Sequence, residues 1–387
     1  MGVSRAVLVW AVLATAGCYS VTYQDPLQCS DKGLCPSGMH CEVDNFCHAG
    51  AVTTQVDAGM GCSVGQQQVN RKVDLLFVID NSGSMEQEQA ALTIAFDALI
   101  TELSQLPGGL PDLHVGVVSS NMGALNQSLQ GCTGSGDNGA LQNTPRVPGC
   151  TPATGRFISD LGSPTGRVRN YSGTIQDAFA CVAKLGIAGC GFEQHLASME
   201  RALDPGNATN TGFLRPEAIL AVIILADEDD CSGQSGSQIF TPSASQLGPL
   251  TSYRCFEHGV KCSPDLPRTT PGPRALCVSR EDSTHLVSML HYVDFVTGLK
   301  AAGSEDIFVG TIVGSPTPVE VGVNASTSNP ELLASCSSAL GEAAPGVRLA
   351  QFTRGVGGQV ATVCQNDLTD TLRAFATGIA AKMVFCP

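Results

Sequence analysis

Five stretches of the chain are apolar almost without a break: 73–79, 113–119, 218–226, 306–313 and a shorter one near 358–364. Short apolar runs without polar alternation read as strands covered on both faces, as in parallel sheets. Between them apolar positions recur at helical spacing over 86–105, 174–185, 193–203, 285–300 and 367–382. Alternating strands and helices predict an α/β fold, a doubly wound, mostly parallel sheet flanked by helices. Two tracts rich in Gly, Pro, Ser and Cys interrupt this rhythm, 122–172 and 228–282. Each follows a strand and so leaves the sheet at its carboxyl edge, where open α/β sheets place ligands. Such long insertions are expected to carry function or cross-links, and here could form a rim over that edge.

The first apolar run is broken only by Asp74 and ends in Asp80, Ser82 and Ser84, around Gly83. One carboxylate and two hydroxyls at alternate positions suit a hard divalent cation such as Mg²⁺. The run at 221–226 (AVIILA) also ends in a carboxylate, Asp227. In a parallel sheet both acids would stand at the same edge.

This D-x-S-x-S turn resembles the metal-ion-dependent adhesion site of von Willebrand factor type A (vWA) domains, and the resemblance covers roughly residues 70–387. It implies that Ser82 and Ser84 bind the metal directly and that Asp80 and Asp227 act mostly through water. The metal would be Mg²⁺, or else Mn²⁺ or Ca²⁺, with an open position for a carboxylate from a partner. The family usually offers a Thr in the loop before the helix that precedes the second Asp strand. Here that loop, 189–194 (GCGFEQ), has none. Glu193 or Gln194 stands near the expected place, and Thr174 is a whole helix away. Glu193 therefore joins Asp80, Ser82, Ser84 and Asp227 as a candidate metal-site residue. A carboxylate there would weaken the metal's pull on an acidic ligand. The alternative is that Glu193 only interacts with a helix N-terminus.

The acidic run 227–230 (DEDD) reads as a solvated loop, as a place where Asp229 joins Asp227 at a metal, or as a run that itself holds a separate Ca²⁺. His195, on the 193–203 helix, could approach the site, although a helix-surface histidine is more often solvated or packed.

Arg5, an apolar stretch at 6–14 and the small residues before Cys18 describe a secretory signal over 1–17. The residues before Cys18 resemble a bacterial lipobox, which implies lipidation at Cys18 and attachment to the membrane by that lipid alone. The strings GCGFEQ, ADEDDCS and YRCFEHGVKC resemble vWA-like lipoproteins of myxobacteria and relatives, implying an exported outer-membrane or cell-envelope location, periplasmic or surface-exposed. Of 17 cysteines, removal of Cys18 leaves an even set suited to disulfides. Cys29, Cys35, Cys41 and Cys47 recur in a small Cys-rich module within 18–50, and 51–69 reads as a linker. Disulfides are expected within each insertion: Cys132 with Cys150 in the first, and among Cys231, Cys255, Cys262 and Cys277 in the second. Cys181 with Cys190 and Cys62 with Cys386 are further expected pairs. The vWA-like domain occupies 70–387.

A net charge of −14 disfavours nucleic acid, whose binding needs Lys and Arg on phosphates. The leading expectation is a non-enzymatic envelope binding module whose metal takes an acidic group of a protein or glycan. A structural lipoprotein whose metal only ties loops together is the alternative. A metal-dependent hydrolase ranks third, since a phosphatase-like second Asp is replaced by Ser82 and no G-x-S-x-G surrounds Ser82 or Ser84.

Overall fold

The computed structural model describes residues 68–146 and 148–385, and short strands within 27–49. Those short strands, Leu27–Gln28, Met39–Cys41 and Phe46–Ala49, form an antiparallel sheet with Phe46–Ala49 in the middle. They belong to a unit separate from that of residues 60–387. The signal segment, Cys18 and the Cys62–Cys386 pair lie outside the described residues.

The larger unit is built on a seven-stranded sheet. Its strands are β1 (Lys72–Ile79), β2 (Asp112–Ser119), β3 (Ile158–Ser163), β4 (Gly166–Arg169), β5 (Ile219–Leu225), β6 (Ile307–Val313) and β7 (Gln359–Thr362). Across the sheet they run β7-β6-β5-β1-β2-β3-β4. The five apolar runs are the five parallel strands. The two remaining strands come from the first insertion and add an antiparallel edge. Periodicity missed them because a half-covered edge needs little apolar sequence: β4 (GRVR) is mostly exposed.

Among the described residues, α1 (Glu86–Ser104), α2 (Ile175–Ala183), α3 (His195–Leu203), α5 (Met289–Gly298), α6 (Val347–Gly355) and α7 (Thr369–Met383) flank the sheet, while α4 (Tyr253–Gly259) packs away from it, with Val260, Val319 and Val321. Alternate side chains of β1 divide between two cores, as a strand's twofold repeat requires. Val73, Leu75, Phe77 and Ile79 pack with residues of α1, α2 and α7. Leu76 and Val78 pack with residues of α3, α5 and α6. Asp74, the polar break in the run, is fully buried, and its carboxylate accepts Arg215 Nε at 2.8 Å and the Arg215 backbone N–H at 2.6 Å. Its charge is thus paired where it could not otherwise be tolerated.

The disulfides differ in part from expectation. Cys231–Cys255 and Cys262–Cys277 do lie within the second insertion. In the first, however, the cysteines bond outward: Cys132 pairs with Cys190 and Cys150 with Cys181. The insertion folds back onto α2 and the loop before α3, so partners near in space are far in sequence. A fifth bond, Cys336–Cys364, was not anticipated.

Candidate functional site

β1 lies between β2 and β5, and chain connection reverses direction there. In open α/β sheets ligands bind at such a switch point, outside the carboxyl ends of the strands. Asp80 follows β1 and Asp227 follows β5 by two residues, so both stand at this crevice.

Asp80 forms the floor and is fully buried. Its Oδ1 accepts the Ser82 backbone N–H at 2.7 Å and the Ser120 hydroxyl at 3.3 Å. This Asx-type contact folds the turn and brings Ser82 Oγ within 3.4 Å of Ser84 Oγ. Ser82 is buried and Ser84 exposed, so the hydroxyls run from floor to mouth. Ser84 also hydrogen bonds to Asp227. The Gln89 amide on α1 holds the turn from behind, donating to the carbonyls of Asp80 (2.8 Å) and Gly186 (3.0 Å).

The loop before α3 packs against the turn at Gly189. Its N–H donates to the Asn81 carbonyl at 2.8 Å, and a β-carbon there would lie 2.6 Å from that carbonyl oxygen. Gly83, central in the sequence motif, has open space around it.

Glu193 is buried and faces Glu228, with Asp80 close enough to act on it. Burial, then the charges of Glu228 and Asp80, hold its carboxyl well above the usual range. Glu228 opposite it is pushed up to about 7, by burial first. Burial, and then Asp80, push Asp227 up to about 6. Glu88 on α1 is raised to about 7 by burial and by Asp227 and Asp80. No Lys or Arg is among the causes acting on these four acids.

Gln194, the other residue near the expected Thr, is engaged elsewhere: its amide donates to Gly123 O (2.7 Å) and its carbonyl accepts from Gly233 N–H (3.2 Å). Thr174 caps α2 through Asp177 and takes no part. His195 is more central than its sequence position suggests. It is fully buried, with Nε2 3.5 Å from Asp80 Oδ2. Burial pulls its imidazole down, but Asp80, then Asp230 and Asp229, outweigh this and raise it overall.

The acidic run is not a solvated loop. Only its first two members face the crevice. Asp229 caps α6, accepting the N–H groups of Arg348 (2.8 Å) and Leu349 (3.0 Å). Asp230, fully buried, pairs with Arg348 Nη2 at 3.1 Å and accepts the Leu196 N–H at 3.0 Å. Each of four consecutive carboxylates thus has a different role, which no charge count reveals.

Among the described residues no group of three or more His, Cys, Asp or Glu side chains is placed to hold a metal ion. A site made of two hydroxyls and two carboxylates is not of that composition. No family profile and no curated protein matches the chain. Among solved structures it is similar to a von Willebrand factor type A protein from Catenulispora acidiphila, at 14% identity, covering 82% of this chain and 44% of that one, with a TM-score of 0.31. It is similar to the conserved hypothetical protein BatB from Bacteroides thetaiotaomicron, at 11% identity, 80% and 98% coverage and a TM-score of 0.30. It is similar also to proximal thread matrix protein 1 from the mussel byssus, at 8% identity, 81% and 48% coverage and a TM-score of 0.32. The chain spans less than half the length of the first and third of these. Its own sheet order is that of a doubly wound, mostly parallel α/β fold, with the Asp80-Ser82-Ser84 turn at the switch point and Asp227 beside it.

Proposed function

We propose that the switch-point crevice is a divalent-cation site that completes its coordination with an acidic group of a protein or glycan partner. The observation that carries this reading is a pair of buried carboxylate oxygens without donors, Asp80 Oδ2 and Asp227 Oδ1. Buried polar atoms are rarely left so, and a bound ion is one standard reason. The donor set fits the group. Ser82 and Ser84 would supply neutral oxygens, and Asp80 and Asp227 the charge, as a hard cation prefers. Bound Mg²⁺ would act as a Lewis acid toward an incoming carboxylate. The chain's own part is to hold both hydroxyls through the Asp80–Ser82 turn and to bury the acids, so that binding a cation relieves their repulsion.

Binding rather than catalysis is favoured because the buried groups facing Asp80 are further acids and His195, held against the floor of the site. Envelope attachment through Cys18 remains part of the proposal. The structural alternative draws on Glu193, whose extra carboxylate would weaken the metal's attraction for a partner's acid. The test is binding of acetate or an Asp-containing peptide to the full chain with Mg²⁺, with EDTA, and in Ser84→Ala. Metal-dependent binding lost in Ser84→Ala supports the adhesive reading. Metal binding without carboxylate binding would leave the structural one.

A further inference from the structure

We propose that the cavity beside the crevice binds a primary alkylammonium group, such as a lysine side chain of a partner. The cavity measures about 70 Å³ and lies between the second insertion and the 330–346 segment. Its apolar wall is Phe256, Leu332, Ala344 and the Cys231–Cys255 bond. Its polar wall is Glu193, Glu228, Asp229 and Asp230, with Arg348.

Charge accounting within that polar wall selects the ligand. Asp229 is occupied by the N-terminus of α6, and Asp230 and Arg348 by each other. Glu193 and Glu228 face one another with no Lys or Arg acting on either, His195 being the one cationic group near Glu228, and Glu193 Oε1, buried in the wall, meets no donor. A divalent ion in the crevice would cancel Asp80 and Asp227 and leave this pair uncancelled. A second metal ion would face carboxylates on one side and hydrocarbon on the other, a poor coordination shell for a hard cation. An ammonium on an unbranched stem answers both walls: three N–H donors meet the carboxylates, and the methylenes lie on Phe256 and Leu332. The volume holds several water-sized positions, enough for such a chain. The pocket stands without the crevice. It rests on the proposed metal site only for the corollary that one partner presents an acidic and a basic group together.

The experiment is calorimetric titration of n-butylammonium into the full chain, its Ser82→Ala variant, Glu228→Gln and Leu332→Trp. Glu228→Gln keeps the shape and removes the charge, whereas Leu332→Trp fills the cavity from a half-buried position and leaves the charges alone. Expected is saturable binding by wild type and Ser82→Ala, weakened about tenfold or more in Glu228→Gln and blocked in Leu332→Trp. Tetramethylammonium, which has no N–H, should not compete. The proposal is overturned if wild type shows no saturable binding, if both pocket variants bind as well as wild type, or if Mg²⁺ displaces n-butylammonium from Ser82→Ala. The last result would make the cavity a metal site. Loss of Mg²⁺ binding in Ser82→Ala with n-butylammonium binding intact separates failure of the crevice from failure of the pocket.

Discussion

His195 Nε2 stands 3.5 Å from Asp80 Oδ2, with both side chains fully buried. The contact is long for a hydrogen bond but short for an ion pair in a dry setting, where charge acts strongly. Removing one partner of a buried pair leaves the other charge uncompensated, at a cost of about 3–5 kcal/mol. His195→Ala should therefore lower the urea midpoint substantially in metal-free buffer. Saturating Mg²⁺ should recover part of the loss by giving Asp80 a new counter-charge. A midpoint within error of wild type would show that His195 is merely packed.

Stability should fall as pH rises through the site's titration range. Asp227, Glu228 and Glu88 are raised above their ordinary values, to about 6, 7 and 7. Between pH 4 and 7 the folded chain then holds protons that the unfolded chain has released, so unfolding becomes more favourable with increasing pH. His195, raised as well, has the same sign: its contribution is full below the unfolded value and lost as pH passes the folded one. Thermal melts in EDTA should show Tm falling from pH 5 to 7.5, with Mg²⁺ stabilising most at the upper end. A Tm that climbs over this range without metal would refute the description of these acids.

Gly189 should matter more than Gly83. A methyl at 189 would sit 2.3 Å from Asn81 Oδ1 and 2.6 Å from Asn81 O, and the latter is backbone inside the Asp80-Ser82-Ser84 turn. Gly189→Ala should cost about 1–3 kcal/mol and displace the turn. Gly83→Ala, with nothing within 4 Å, should be nearly neutral. Chemical denaturation of both variants checks this, and equal midpoints would contradict it.

The last two acids of the run should separate cleanly. Asp229→Ala removes the α6 cap, a loss of about 1 kcal/mol. Asp230→Ala strands the buried Arg348 guanidinium and should cost about 3–5 kcal/mol. Similar losses for the two would undo the division of roles.

The parallel strands were legible because burial on both faces writes itself as continuous apolar sequence, as in 221–226. The D-x-S-x-S turn was legible because its hydrogen bond from Ser82 N–H to Asp80 is local. What escaped was set by contacts distant in sequence. α6 has a modest apolar stripe, and its start depends on Asp229, 119 residues before Arg348. Cys132 and Cys190 are 58 residues apart and meet only because the first insertion returns to the loop before α3. His195 read as a helix-surface residue because Asp80, which gives it a partner, lies on another element.

The most direct measurement is Mg²⁺ titration calorimetry on the full chain at pH 7.5, beside a Ser82→Ala/Asp227→Ala variant. The account predicts saturable binding with one ion per chain, proton release on binding, and loss of the signal in the variant. Binding of equal strength by both proteins, or by neither, would contradict a cation site at the Asp80-Ser82-Ser84 turn.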